Sequence, residues 1–198
     1  MNPTVDQLLT RIRQLEDQVE AEIQHRREAL HADFENRKIR FEQEVIAAHR
    51  RFKAGLLSYM WHSSALTLLT APVIYSGIVP IVLMDLFVSL YQAICFPVYG
   101  IAHVRRRDYF VFDRSHLAYL NLIEKINCAY CSYGNAVIAY AREITARTEQ
   151  YWCPIKHARR MLQAHPWYNG FVDFGDAEAW RRDLAGLRKK LEDVPPGK

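Results

Sequence analysis

The chain has 198 residues, a formal net charge of +4, 50% hydrophobic residues and 24% charged ones. That length holds one or two domains, and so mild a charge does not supply the concentrated basic face of a nucleic-acid domain, so nucleic acid is not an expected partner. The averages conceal a segregation: residues 1–53 are highly charged with nearly balanced signs, residues 54–104 carry one formal charge, Asp85, and residues 105–198 are mixed and rich in Tyr and Trp.

The chain starts MNPTVDQLLTRIRQLEDQVE, without the positive start and apolar run of a signal peptide. Residues 5–53 contain no Pro or Gly and are full of Glu, Gln, Arg, Leu and Ala. They predict one long helix of roughly 70–75 Å. Leu8, Val19, Leu30 and Phe41 recur every eleven residues, as do Ile12, Ile23, Phe34 and Val45. An eleven-residue period corresponds to a nearly straight or slightly right-handed bundle. A narrow stripe on so long and polar a helix needs a partner, so self-association through residues 5–50 is expected. The histidines at 25, 31 and 49 sit among charges and are assigned no chemistry.

The apolar block, residues 55–104, is more than twice the length of a single crossing of about 20 residues. The cluster YSGIVP, 75–80, offers a turn. It divides the block into segments of about 56–76 and 79–102, a transmembrane hairpin. Arg50, Arg51 and Lys53 precede it and Arg105, Arg106 and Arg107 follow it. The positive-inside rule then puts both termini in the cytoplasm, the simple topology fitting a bacterial inner membrane. Tyr59, Trp61 and Tyr99 suit the interface, and the polar His62-Ser63-Ser64 lies near the inner end of the first segment. Pro72 and Pro97 are expected to kink the segments. Asp85 is read as lying near the outer interface, snorkelling or capping a helix start, against the alternative of an ion path in an oligomer. Cys95, between Ile94 and Phe96, reads as a small core hydrophobe. A re-entrant hairpin is the competing arrangement.

Beyond the block, Leu117, Leu120, Ile123 and Ile126 predict a helix capped by Asp113 or Ser115 and ending near Asn127. CAYC, 128–131, follows as a knuckle, and a second helix runs from 133 to about 150. Pro154 opens a third helix that places His157 one turn after Cys153. The pattern C-x2-C, 21 residues, C-x3-H offers three sulfurs and one nitrogen, a tetrahedral donor set for structural zinc at Cys128, Cys131, Cys153 and His157. The helix between the two pairs is itself an obstacle, being about 25 Å long if straight, and has to bend, break or be bridged across two protomers. A redox dithiol at Cys128 and Cys131, an iron–sulfur cluster and coincidental buried cysteines are the alternatives. Glu143 and Arg147 are spaced as an i,i+4 helix pair. Asp176 caps a final helix with Ala177, Trp180, Leu184, Leu187 and Leu191 on one face, stopped by PPGK.

The sequence therefore predicts an all-α membrane protein in three parts: an oligomerising coiled-coil-like helix over 1–53, a transmembrane helical hairpin over 54–104, and a cytosolic helical Cys/His domain over 105–198. The expected function is that of a membrane-anchored, homo-oligomeric structural or scaffold protein with a zinc-stabilised cytosolic domain. An oligomeric ion channel or transport accessory subunit, with the hairpin lining a pore, is one alternative. A membrane-bound thiol redox or iron–sulfur protein is another. No Walker loop, G-x-S-x-G, Rossmann fingerprint or H-E-x-x-H is present, so no catalytic residue is assigned.

Overall fold

A computed structural model of the chain describes residues 3–29, 32–35, 38–41, 43–53, 55 and 64–194. The chain is mostly helical and divides into two compact units: Met1–His62 with Asp113–Lys125, and Ser63–Phe112 with Ile126–Lys198. Leu30, Tyr59, Trp61, the His62-Ser63 pair and the terminal PPGK lie outside the described residues.

In the first unit α1 spans Pro3–Ala29. Its strong helix formers are tied by i,i+4 contacts, with Arg26 donating to Glu22 at 2.9 Å and Gln24 to Glu28 at 3.2 Å. The helix expected to reach residue 53 stops there. β1, Ala32–Glu35, and β2, Lys38–Phe41, form an antiparallel hairpin, with Asp33 opposite Arg40 and Glu35 opposite Lys38. The residues explain the departure: Ile39-Arg40-Phe41 alternates with period two, and the register sets positions of opposite charge across from each other. The eleven-residue repeat thus holds on α1 for Leu8 and Val19 and for Ile12 and Ile23. Phe34 and Phe41 fall on strands and Val45 on α2, Gln43–Arg50.

In the second unit α3, Ala65–Ser76, leads into α4, Ile78–Tyr99. The expected hairpin is not formed. Gly77 has φ −58° and ψ −16°, so the backbone stays helical through the proposed turn, and Leu66–Tyr99 reads as one apolar helix of 34 residues. Pro80 is the third residue of α4 and the fifteenth of that continuous run, so the Ser76 carbonyl receives no backbone N–H from it. Gly77 serves close packing. A Cβ there would lie 2.8 Å from the Tyr130 hydroxyl, which donates to the Ile74 carbonyl at 2.7 Å.

Gly100, at φ +67°, ends α4 in the left-handed conformation, and the Ile101 N–H returns to the Phe96 carbonyl at 2.9 Å. The following residues, 101–112, form a strap that runs back along α4. Its order is fixed by contacts of Val104 with Gln92 and then Arg106 with Asp85.

α5, Leu122–Trp152, is one helix of 31 residues. Its start is a capping box, in which the Glu124 N–H donates to Asn121 Oδ1 at 3.0 Å and the Asn121 N–H to Glu124 Oε2 at 2.7 Å. The expected caps Asp113 and Ser115 instead sit in a 3-10 turn, Asp113–His116. α5 also runs unbroken through CAYC and SYGN. Gly134 is accommodated against Ile81, and the Asn135 side chain bonds the Cys131 carbonyl at 2.9 Å.

α4 and α5 lie side by side and parallel, Ile81 meeting Gly134, Gln92 meeting Tyr140, and Tyr99 meeting Trp152. The core sits towards their C-terminal ends and gathers Phe96, Ile101, Val104, Tyr140, Ile144 and Leu191. Burial first, and then the Glu143 carboxylate, push the Tyr109 phenol at its edge up to about 12. Residues 153–176 are irregular apart from a 3-10 helix at Pro166–Gly170 and are held by a parallel bridge between Ile155 and Val172, so the helix expected from Pro154 is absent. α6, Ala177–Lys189, is capped as expected, Asp176 accepting from the Ala179 N–H at 2.8 Å.

If Gly77 is kept for close approach, Gly77→Val drives a methyl into the Tyr130 hydroxyl and is expected to lower stability by about 1–3 kcal/mol. Tyr130→Phe in the same chain is expected to restore part of that loss in detergent unfolding curves. Equal stability of Gly77→Val and wild type would contradict the packing role.

Candidate functional site

The apolar helix α4 contains three strongly polar side chains after its first turn, Asp85, Ser89 and Gln92, and all three face inward. At 100° per residue, Asp85, Ser89, Gln92 and Phe96 fall on one side. The exposed residues Val79, Val82, Leu83, Leu86, Phe87, Leu90, Ile94 and Val98 fall on the opposite side, an arc of about 160°. No polar residue interrupts that arc. The helix is therefore turned inside out relative to a helix of a water-soluble protein, with polar groups in and apolar groups out.

Each inward polar group is satisfied by the strap or α5. Asp85 is 7% exposed and takes both guanidinium nitrogens of Arg106, Nη1 to Oδ1 and Nη2 to Oδ2 at 2.6 Å. Tyr133 donates to Asp85 Oδ2 at 2.8 Å and Ser89 to Oδ1 at 3.4 Å. The Arg106 guanidinium also stacks 3.8 Å above the Phe110 ring. Gln92 accepts the Val104 N–H at 2.7 Å and donates to the Tyr140 hydroxyl at 2.6 Å. Asp85 is thus not snorkelling to an outer interface, and it caps no helix start. Arg106 folds back 21 residues to neutralise it. Of the three arginines expected at the headgroups, Arg105 bonds Asp108 at 3.0 Å and Arg107 lies 3.9 Å from the same carboxylate.

A second ionic cluster braces the C-terminal half of α5. Arg147 donates to Glu143 at 2.8 Å, the expected i,i+4 pair, but both side chains are buried. Arg147 also bonds the Ala102 carbonyl at 2.6 Å, and the Trp167 N–H donates to Glu143 at 3.0 Å. Six residues after Glu143, Glu149 lies 2.9 Å from His165 Nε2, and the buried His165 Nδ1 has no hydrogen-bond partner among the described residues. On the surface, Lys156 bonds Asp173 at 2.8 Å and holds its carboxyl below the usual range.

The residues proposed for zinc are not brought together. Cys128 and Cys131 are interior to α5, and Cys153 follows its last residue. The 25 steps from Cys128 to Cys153 amount to about 37 Å along an unbroken helix. The His157 ring stacks on Tyr168, whose hydroxyl accepts the His157 N–H at 2.6 Å. All four cysteines are free thiols, and among the described residues no group of three or more His, Cys, Asp or Glu side chains is placed to hold a metal. The knuckle fails because Ala129 and Tyr130 are good enough helix residues and Tyr130 and Gly134 are needed in register against α4.

Sequence reasoning singled out Asp85 but missed Arg106 as its partner, because the pairing depends on the strap reversing at Gly100. No protein-family model matches the chain, and no curated protein and no solved structure is similar to it.

Arg106→Ala strands a buried carboxylate, whereas Asp85→Asn strands a guanidinium that is about half exposed. The first is expected to cost about 2–4 kcal/mol and the second less, after discounting for that exposure. Asp85→Asn with Arg106→Gln is expected to recover most of the loss in the same unfolding assay. Additive losses would contradict a coupled pair.

Proposed function

We propose that the protein is a membrane-anchored structural or scaffold protein, anchored through α3 and α4 and assembled into homo-oligomers through α1. The observation that carries the anchor is the inside-out helix. The most apolar 18-residue window of Leu66–Tyr99 has a mean hydropathy of 2.1, and only 6% of that window is buried. An uninterrupted apolar face of that length needs a non-aqueous neighbour. α3 reinforces this, since Leu66, Leu69, Val73 and Ile74 are exposed within one arc of about 140°.

Oligomerisation rests on α1, where Leu8, Ile12, Leu15, Val19 and Ile23 form an exposed stripe with 4-3-4-4 spacing. Such a stripe is read as a seam for a second helix. The pore alternative draws no support from Asp85, which is paired and faces inward. Zinc within one chain draws none from a 31-residue helix between the two halves of the site. The bacterial inner membrane, with both termini in the cytoplasm, remains the proposed location.

Flotation of the full chain with liposomes tests the anchor. Leu83→Glu combined with Leu90→Glu places two carboxylates in the exposed arc. Because a charge in the hydrocarbon costs about 2.5–3.5 kcal/mol, the floated fraction is expected to fall at least about tenfold. Flotation equal to wild type would contradict lipid contact through α4.

A further inference from the structure

We propose that α4 lies along one face of the membrane at a shallow angle, its apolar arc in the acyl region of a single leaflet and the strap in water. The inference rests on the membrane reading above and specifies which chemistry meets the arc: the acyl chains just beneath the headgroups. Two magnitudes support it against an upright span.

The first is length. From Leu66 to Val98 the exposed apolar side extends 32 steps, or about 48 Å. Hydrocarbon is about 30 Å thick. Fitting that side within it demands a tilt beyond about 50°, outside the 0–40° that spanning helices adopt.

The second is the position of charge. Arg106 is bonded to Asp85, so the strap's arginines stand beside the middle of the apolar stretch and not beyond its end. Arg107 is 67% exposed there. An upright helix centred on Asp85 carries these arginines to the bilayer midplane, at a cost of at least about 2.5–3.5 kcal/mol each. An upright helix that stops at Asp85 instead leaves Leu86, Phe87, Leu90, Ile94 and Val98 in water.

A helix lying along the surface removes both conflicts. The strap is on the inward side of α4, opposite the arc, because Arg106 meets Asp85 and Val104 meets Gln92. One rotation about the helix axis therefore puts every arc residue in lipid and Arg106 and Arg107 in solvent. A partner protein fits the arc less well, since a docking face normally carries a polar rim and this one has none across about 160°. The orientation also keeps both ends of the chain on one side of the membrane without a hairpin.

The test is depth measurement on the full chain in liposomes. Single spin labels are placed at Val79→Cys, Leu83→Cys, Leu90→Cys, Ile94→Cys and Val98→Cys, with the four native cysteines replaced by alanine. These side chains are exposed, so labelling displaces no core contact. Collision with oxygen and with a water-soluble nickel chelate reports depth. The proposal expects all five labels within one leaflet, about 5–10 Å below the headgroup boundary. A depth that changes by about 28 Å between Val79 and Val98 means an upright helix and overturns the orientation while keeping the anchor. Five labels open to the chelate and none to lipid overturn both. Should the alanine background fail to fold, the wild-type chain with a tag at each end serves. Protease outside the vesicles is expected to remove both tags together, and protection of one of them overturns the proposal.

Discussion

The second unit depends on the bond between Asp85 and Arg106. A carboxylate on a helix otherwise composed of apolar residues requires a counter-ion, and the chain supplies one by reversing at Gly100 and laying residues 101–112 back along α4. Tyr133 and Phe110 complete the site from either side, one by donating to the carboxylate and the other by stacking under the guanidinium. A buried pair of this kind adds little net stability, but removing either partner is costly. Its main effect is to specify register. It fixes which residues of the strap, α4 and α5 meet, and Gln92 repeats the arrangement two turns further on through Val104 and Tyr140.

With the polar side of α4 committed inward, its apolar side is left outward. The anchoring surface and the internal polar network are thus two faces of one helix, and each requires the other. The core at Phe96, Ile144 and Leu191 closes the arrangement where α4 and α5 end, and the Glu143–Arg147 pair ties that end to the strap at Ala102. The packing glycines lie on the same seam. Gly77 admits the Tyr130 hydroxyl and Gly134 admits Ile81.

Much of this was legible in the residues. Helical character, the single-charge block, the cap at Asp176 and the 143–147 pairing are local properties, set by composition and by spacings of three or four. The failures share a cause in contacts distant in sequence. YSGIVP looks like a turn, but Gly77 faces Tyr130 and its backbone stays helical. CAYC looks like a metal knuckle, but Tyr130 and Tyr133 are required in helical register to reach Ile74 and Asp85. Residues 32–41 carry a period-two pattern and opposed charges that compete with the eleven-residue repeat. The spacing of Cys128, Cys131, Cys153 and His157 was informative about which residues are available to a metal, and silent about the 31-residue helix that separates them.

The central claim is that Leu66–Tyr99 is one helix with lipid on its outer side and the rest of its unit on the inner side. The most direct measurement is the distance between spin labels at Leu66 and Val98, both exposed, by double electron–electron resonance in liposomes. A continuous helix gives about 48 Å. A distance below about 25 Å means that the chain reverses between them, a hairpin in place of a rod, and the inside-out arrangement of α4 fails with it.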